Sequence, residues 1–567
     1  MDSGVELRAR VGPLVGGEVA DQIARWFDED PDPVTREELV ALVDEGASDE
    51  LVDRFGRRIG FGTAGLRGPM GTGPNRMNRL VVRQAAAGLM RYLPSGATVV
   101  IGFDARYGSR GFAEDTARVI AAAGGQAVLL PGPNPTPLVP FAVRHLGADA
   151  GVMVTASHNP ATDNGYKVYL AGGAQLVAPT DAEIAALIAE AATAPVPLGP
   201  ADDPAIARAG AEVVEAFLAM VDRCRLVPDS PGVTTVYTAL HGVGAELLLA
   251  AFDRAGFPRP AVVAEQAEPD PDFPTTPFPN PEEPGTFDLA FDLADREHPQ
   301  LVLAHDSDAD RLGAAIPDGD GWRMLTGNEI GVLLGDHILR HTTGEDRLVV
   351  TTIVSSRLLG RMAAAAGVRY AATLTGFKWI VRPALDDPTA RFVFGYEEAL
   401  GYLVTDEVLD KDGISAAVLL VEAAGALADT GRTLADRLDE LAVEHGLHHT
   451  ETWSVRFAGL DAGDRMKGVM AQLRSDPPVE LAGMAVTGFC DHAQGGDLPP
   501  TDAVALEMDN RARVLARPSN TEPKVKIYLE VVLPTTAPTL AADRSRARDL
   551  VKALRVDLDA HLDLTSD

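Results

Sequence analysis

The stretch "ATVVIGFDARYGSRGFAEDTARVIAAAGGQAVLL" constrains the fold more than any other passage of the chain. An apolar run over residues 97–102 gives way to a polar loop. A helical pattern over 112–123 and a second apolar run over 126–130 follow. Short apolar runs on either side of a helix-period segment predict a βαβ unit and a parallel sheet. The pattern returns twice. From Val233, "VTTVYTALHGVGAELLLAAFDRAG" reads as strand, glycine-containing turn and helix, and a later strand over 301–304 feeds "HDSDADR". From Arg347, "RLVVTTIVSSRLLGRMAAAAGVRYAATL" reads as strand, helix, strand, and feeds "TGFKWI". In open α/β sheets, ligands gather beyond the carboxyl ends of strands, where such polar loops sit.

The two ends of the chain read differently. The first 50 residues are expected to be helical, with "TREELVALVDEG" (35–46) a capped amphipathic segment. Near the other end, "RARVLARPSNTEPKVKIYLEVVL" (511–533) reads as strand, polar loop, strand, and a helical stretch over 543–562 follows. That predicts an α+β final domain. Proline-rich "EPDPDFPTTPFPNPEEPG" (268–285) is expected to be a plain surface connection. At ~100–200 residues per domain, a chain of 567 residues holds three to five domains.

Composition narrows the partners. The formal net charge is −32, which argues against nucleic acid or anionic membrane as the main partner. No apolar run approaches the ~20 residues needed to span a bilayer, and "MDSGVELRAR" lacks the build of a signal peptide. The two cysteines, Cys224 and Cys490, are far apart and lack metal-ligand spacing. A reducing cytoplasm is the expected compartment. Any anionic substrate would need cations concentrated locally against the overall charge.

In "HDSDADRLG", Asp306, Asp308 and Asp310 alternate directly after an apolar strand. Three carboxylates at this spacing can turn toward one hard cation, Mg²⁺ being the expected one. An EF-hand would want glycine and glutamate where Arg311 and Pro317 stand, so that reading fails. Arg311 beside the triad suggests an approaching anion. In "VTASHNPATDNGYKVY", Ser157 lies just past a strand end, followed by His158 and Lys167. No G-x-S-x-G elbow is present, so a hydrolase triad has no support. A serine ester could instead hold a phosphoryl group, with either His158 or Lys167 moving the proton of a sugar hydroxyl.

Four further loops carry suitable chemistry. "GTAGLRG" would let backbone approach an anion while Arg67 clamps it. In "RPSNTEPKVK", Arg517, Ser519, Asn520, Thr521 and Lys524 between two strands could cradle phosphate. In "FGYEEALGY", Glu397 and Glu398 could accept two neighbouring hydroxyls, although glutamate also suits an ordinary first helical turn. "TGFKWI" sets Lys378 in a glycine–aromatic turn after Gly376. Of the chain's seven lysines (167, 378, 411, 467, 524, 526 and 552), Lys167, Lys378 and Lys524 fall inside the candidate loops. Arginine fills most other cationic positions, so compact ammonium groups stand where phosphate or proton chemistry wants them.

Together, "TASHNP", "DSDADR", "GYEEALG" and "RPSNTEP", in that order, resemble the α-D-phosphohexomutase superfamily across nearly the whole chain. The long N-terminus and "GTAGLRG" look most like its phosphoglucomutase-2-like and phosphopentomutase branch. The resemblance implies an α/β protein of four domains. Three related α/β units with mixed sheets and an α+β C-terminal domain would lie round a central cleft. The boundaries expected are 1–205, with the helical extension and phosphoserine loop; 206–325, with the metal loop; 326–448, with the sugar loop; and 449–567, with the phosphate loop.

It also implies roles. Ser157 is expected to be the phosphoserine, with Asp306, Asp308 and Asp310 binding Mg²⁺ together with its phosphoryl oxygen. Arg67, His158 and Lys167 would assist catalysis. Arg311, Gly376, Lys378, Glu397 and Glu398 would contact substrate, and Arg517, Ser519, Asn520 and Thr521 would bind the non-reacting phosphate. Ser307, Ala309 and Asn520 replace usual glycines, and Ala399 stands where serine is common. The implied reaction interconverts sugar 1-phosphate and 6-phosphate, glucose first, through a sugar 1,6-bisphosphate that is also the activator. The expected partner is a small phosphosugar, on a monomer or homodimer. Phosphopentomutase, phosphomannomutase, bisphosphate synthase, phosphatase and silent sugar-phosphate binding are the alternatives.

Overall fold

The computed structural model describes residues 3–457, 459, 461–509, 511–519 and 523–564. It divides into two compact units: Met1–Met324 with Gly401–Glu422, and Leu325–Leu400 with Ala423–Asp567.

The first unit opens on helices Gly4–Val15, Gly17–Glu29, Pro33–Asp44 and Ser48–Phe55, as the apolar periodicity predicts. Their inner faces bury Leu7, Val11, Ile23 and Leu39, and Trp26 meets Phe55 edge-on at 5.9 Å. The third helix starts two residues before the expected position. Asp32 is its cap, accepting from the Val34 amide, and Pro33 is its first residue. Proline at that position needs no amide partner and presets φ, so it opens the helix. The Thr35 hydroxyl instead donates to Asp30 at 2.7 Å.

Behind the helices lies a six-stranded sheet, in the order Leu66–Pro69, Asp163–Leu170, Ala150–Val154, Thr98–Phe103, Gln126–Leu129, Ile206–Arg208. The last four run parallel. The first two are antiparallel to their neighbours. Val99, Val100 and Ile101 are all buried, as expected of a strand covered on both faces. Each such side chain contributes ~1.5–3 kcal/mol by leaving water. A second, five-stranded sheet repeats the mixture. Leu301–His305, Thr235–Thr238 and Ala261–Val262 are parallel, and Leu312–Asp318 and Gly321–Met324 continue it antiparallel.

In the second unit, Arg369–Thr373, Arg347–Thr352 and Arg391–Glu397 form a parallel set. A separate sheet of Leu447–Arg456, Lys524–Leu533, Ala512–Pro518, Val504–Met508 and Gly488–Asp491 is antiparallel throughout. Helix Leu540–Leu562 packs on it through Val551, Leu554 and Leu558. This is the α+β arrangement expected of the tail. Among the described residues, no helix is long and apolar enough to cross a membrane. Cys224 and Cys490 are free thiols.

The polar stretch 154–169 is not all loop. Asp163–Leu170 is a strand running back along Ala150–Val154, with Met153 opposite Lys167. Leu312–Asp318 returns along Leu301–His305 in the same way, with Leu312 opposite His305. Both loops singled out in the sequence are therefore tips between a core strand and an antiparallel return, clamped at both ends.

Candidate active site

Strands Thr98–Phe103 and Ala150–Val154 are in parallel register with Phe103 opposite Val154. Residues three positions beyond each end therefore emerge side by side. They are Arg106 and Ser157, and the Arg106 guanidinium donates to the Ser157 carbonyl at 2.5 Å. Ser157 has φ +52°, a left-handed conformation uncommon outside glycine. It is held there from three sides: its amide donates to Thr155 Oγ1 at 2.8 Å, and its carbonyl accepts from Arg106 and from Ser307 Oγ at 2.6 Å. The side chain points inward, with Oγ 3.1 Å from His158 Nδ1 and 3.2 Å from Asp306 Oδ2.

The aspartate loop curls as the alternation predicts. Ala309 takes φ +52° and its amide closes on the Asp306 carbonyl at 2.9 Å. Gly242 supports the curl from outside: a Cβ there would lie 2.5 Å from Ser307 Cα, and the next amide, Val243, donates to the Ser307 carbonyl at 3.0 Å. One oxygen from each of Asp306, Asp308 and Asp310 lies within 4.8 Å of the others, and all three residues are fully buried. Asp308 Oδ2 accepts from Lys167 Nζ at 2.9 Å and Thr136 Oγ1 at 2.6 Å. Asp310 Oδ2 accepts from Lys167 at 2.8 Å and pairs with Lys411 Nζ at 2.8 Å. Asp308 Oδ1 and Asp310 Oδ1 are buried without a hydrogen-bond partner. Orphaned carboxylate oxygens at a buried cluster are costly unless a cation takes them, so the donor set fits a hard, oxygen-seeking metal ion.

The charges sort the acids. Burial, with Asp308 and Asp310 facing it, pushes the Asp306 carboxyl well above the usual range. Burial also opposes the charged form of Asp308, but Lys167 and Lys411 outweigh it and hold Asp308 low. Asp310 is likewise depressed despite its burial and the Asp308 charge, through both lysines and Arg311. In return the aspartates outweigh burial at Lys167 and favour its ammonium form. His158 is driven well below its ordinary value by burial and by Arg311 and Arg67, which keeps the ring neutral.

Arg67 stands on strand Leu66–Pro69 opposite Gly165, in the field of Asp308 and Asp310. Gly65 before it has φ +77°, and a Cβ there would lie 1.9 Å from the Tyr166 carbonyl oxygen, so only glycine lets this strand approach. The Arg311 amide donates to Asp306 Oδ1 at 3.0 Å, and its guanidinium lies 3.5 Å from Glu282. Ser157, His158, Lys167, Arg67, Arg311 and the three aspartates thus converge on one spot within the first unit.

Four contributors escape the sequence reading. Arg106 and Thr136 lie in loops that look ordinary. Lys411 is one of the few lysines but lies outside the polar loops. Its neighbour Asp410 accepts from Tyr169 Oη at 2.8 Å and Gln175 at 2.6 Å. The fourth is Phe273, in the proline-rich segment expected to be a plain surface connection. It is buried, and the Arg106 guanidinium lies 4.9 Å from its ring centre. The segment is part of the site's wall.

The second unit holds the other predicted residues. Glu397 ends strand Arg391–Glu397, and its carboxylate accepts from the Gly376 amide at 3.1 Å. Glu398 Oε2 accepts from Ser355 Oγ at 3.3 Å. Lys378 sits in the short helix Phe377–Ile380 just after Gly376. Arg517 is the penultimate residue of strand Ala512–Pro518 and donates to Thr375 Oγ1 at 2.6 Å. Ser519 follows, its amide bonded to the Lys524 carbonyl at 2.8 Å. Asn520 and Thr521 lie outside the described residues.

Four models of the phosphoglucomutase/phosphomannomutase family match in order: α/β/α domains I (58–194), II (215–319) and III (326–444), and the C-terminal domain (468–544). The chain belongs to the α-D-phosphohexomutase superfamily. It is a phosphomutase by class, an isomerase-type enzyme. Among its relatives is a probable phosphomannomutase of Haemophilus influenzae, 42% identical over 462 residues, covering 80% of this chain and 93% of that one. A mouse phosphopentomutase is 36% identical over 562 residues, covering 90% of each. A crystal structure described as a phosphomannomutase from Thermus thermophilus superposes with a TM-score of 0.67 at 27% identity, covering 89% of this chain and 99% of that one.

Proposed function

We propose that this phosphomutase interconverts sugar 1-phosphates and 6-phosphates through phospho-Ser157, with glucose 1-phosphate as its first substrate. Pentose 1-phosphate stands second and mannose 1-phosphate third. The observation that carries the reading is the approach of Ser157 Oγ to within 3.2 Å of Asp306, inside a buried three-carboxylate cage flanked by Lys167. A nucleophilic hydroxyl beside carboxylates alone would gain nothing from them. Beside a caged cation and an ammonium, it can carry a phosphoryl group.

Asp306, Asp308 and Asp310 would hold Mg²⁺, with a phosphoryl oxygen on Ser157 completing its ligands. When bound, the ion neutralises phosphoryl charge and polarises the phosphorus. In the forward half-reaction the P–Oγ bond of phospho-Ser157 breaks, a bond from phosphorus to the sugar hydroxyl oxygen forms, and the hydroxyl proton leaves. Neutral His158 can accept a proton, and charged Lys167 can donate one. The sugar 1,6-bisphosphate then presents its other phosphate, which returns to Ser157 Oγ. Glu397 and Glu398 would take sugar hydroxyls, and Gly376, Lys378 and Arg311 would add contacts. Arg517, Ser519, Asn520 and Thr521 would hold the idle phosphate. Arg67 would clamp the phosphate in transit.

The test is a comparison of kcat/KM for glucose, ribose and mannose 1-phosphates, with a trace of the matching bisphosphate and product identification. Glucose 1-phosphate is expected to give the highest value and glucose 6-phosphate the product. A higher value for ribose 1-phosphate would reassign the substrate. Release of inorganic phosphate, or accumulation of bisphosphate, would replace the mutase cycle by hydrolysis or synthesis.

A further inference from the structure

Arg106 has no role in the proposed reaction, yet its guanidinium donates to four carbonyls of the loop that carries Ser157. Its side chain is 2% exposed. One guanidinium nitrogen donates to the carbonyls of Pro160 at 2.7 Å and Asp163 at 3.2 Å. The other donates to those of Ser157 at 2.5 Å and Asn159 at 2.6 Å, and stands 3.4 Å from Ser307 Oγ. Four carbonyls of the loop 157–163 therefore turn inward onto one cation. The cation is itself fixed from outside: Asp104 lies 3.5 Å from Nε, and the Phe273 ring covers it. Asp104 is anchored in turn by Ser109 Oγ at 2.6 Å and by the Arg106 amide at 3.1 Å.

A buried arginine satisfying inward carbonyls could serve stability alone. Two features of this one point further. It grips the carbonyl of the very residue that carries the reacting oxygen. That residue is also held at φ +52°, a conformation that persists only where the surroundings impose it. Carbonyls crowded on one side repel one another unless a planar, multi-donor cation sits between them. A lysine ammonium, a point charge, cannot span four of them.

We propose that Arg106 is a positioning residue for phosphoryl transfer. By clamping the loop 157–163 from below, it fixes the Ser157 backbone so that Oγ faces Asp306. The inference rests on Ser157 being the phosphorylated residue. Ser307 is the second clamp, donating to the same carbonyl at 2.6 Å.

Arg106→Lys and Arg106→Met test this, with Ser307→Ala as a milder variant that leaves the guanidinium in place. Each is assayed for kcat and KM on glucose 1-phosphate and for thermal stability. Each is also assayed for single-turnover transfer from glucose 1,6-bisphosphate to Ser157, followed by the protein's mass. A displacement of ~1 Å at a reacting atom costs ~10²-fold in rate. Arg106→Lys is expected to lose about that factor in both kcat and the single-turnover rate, with KM within about threefold of wild type. Ser307→Ala is expected to lose about tenfold in the same step. If Arg106→Met does not fold, Arg106→Lys, which keeps the buried charge, and Ser307→Ala still decide the matter. Wild-type transfer rates in Arg106→Lys, or a loss confined to KM or to thermal stability, would overturn the positioning role and leave the phosphoserine intact. No phosphate on wild-type Ser157 would overturn the phosphoserine reading, and this one with it.

Discussion

Around Ser157, the three aspartates and Lys167 are each at most 5% exposed, and Asp308 and Asp310 meet the Lys167 ammonium at 2.9 and 2.8 Å. In the second unit, Glu397, Glu398, Lys378 and Arg517 are only half-buried; Glu397 accepts from the Gly376 amide, Glu398 accepts from the Ser355 hydroxyl, and Arg517 donates to the Thr375 hydroxyl. Both regions are built on strand tips, and in the proposed reaction both serve one anionic substrate. The difference follows from what each must do. Charge that has to act on a breaking bond works best in a water-poor site with its dipoles already fixed. Groups that must accept and release a sugar in two orientations gain from solvent access. Substitutions of the paired charges in the first region should therefore strike kcat and stability together, loss of the reacting hydroxyl should strike kcat alone, and substitutions in the second region should strike KM alone.

The largest effect is expected from Ser157→Ala. Turnover should fall by at least about 10³-fold, as when other nucleophiles are removed. Thermal unfolding should shift by no more than about 1 kcal/mol, since the backbone clamps remain. A variant that keeps even a tenth of wild-type kcat would sink the phosphoserine cycle.

Asp308→Asn comes next and tests the buried cage. It leaves Lys167 with one acid instead of two and removes a cation ligand, at a cost of roughly 3–5 kcal/mol for breaking a buried pair. Calorimetric titration with Mg²⁺ should show affinity lowered by at least about tenfold. The pH dependence follows from the depressed carboxyl. Its contribution to stability is complete above the unfolded value of about 3.9 and is lost as pH falls toward the lower folded value. Stability of Asp308→Asn should therefore vary less with pH below about 4 than that of wild type. An unchanged slope there would mean that Asp308 is not the lysines' main partner.

The residues legible from sequence are those whose chemistry is conspicuous within one segment. Ser157 with His158 and Lys167, and the alternating aspartates, stand out because ionisable groups crowd directly after apolar runs. The residues that hold them come from segments with no such crowding. Arg106 reads as one arginine in an ordinary loop until the parallel register places it three residues past Phe103, level with Ser157. Thr136 and Phe273 carry no ionisable group, and only the fold shows one on Asp308 and the other under Arg106. Lys411 is visible as a rare lysine between Asp410 and Asp412, but its partner Asp310 is about a hundred residues away in sequence. The returning strand at 163–170 is hidden because its first residues, Asp163, Asn164 and Gly165, look like a turn. The αβ alternation and the antiparallel tail are legible because periodicity is local, whereas the direction of a return strand is decided by what it packs against.

Glu398→Gln moves to the second region. Losing a charged hydrogen bond to a sugar hydroxyl is worth ~1.5–3 kcal/mol, so KM should rise about tenfold or more. Folding stability should stay within about 0.5 kcal/mol of wild type, as for other half-exposed positions. A fall in kcat at constant KM would instead place this carboxylate in the transition state and erase the contrast drawn above.

The smallest effect separates the two designs most finely. Thr375→Ala removes the hydroxyl that accepts from Arg517 at 2.6 Å and leaves the guanidinium itself in place. The lost bond is worth ~0.5–1.5 kcal/mol, and part of that returns because a half-exposed arginine regains water and rotamer freedom. What the substrate loses is a pre-oriented partner for its idle phosphate. That cost falls equally on the bound substrate and on the transition state, because the idle phosphate does not change charge as the other one moves. Uniform loss of this kind raises KM and leaves kcat alone. A two- to threefold rise in KM with unchanged kcat is expected, and added salt, which screens half-exposed charges, should narrow the gap between variant and wild type. If kcat falls instead, Arg517 must strengthen its hold as the bond breaks, and the phosphate loop would belong functionally with the buried cage.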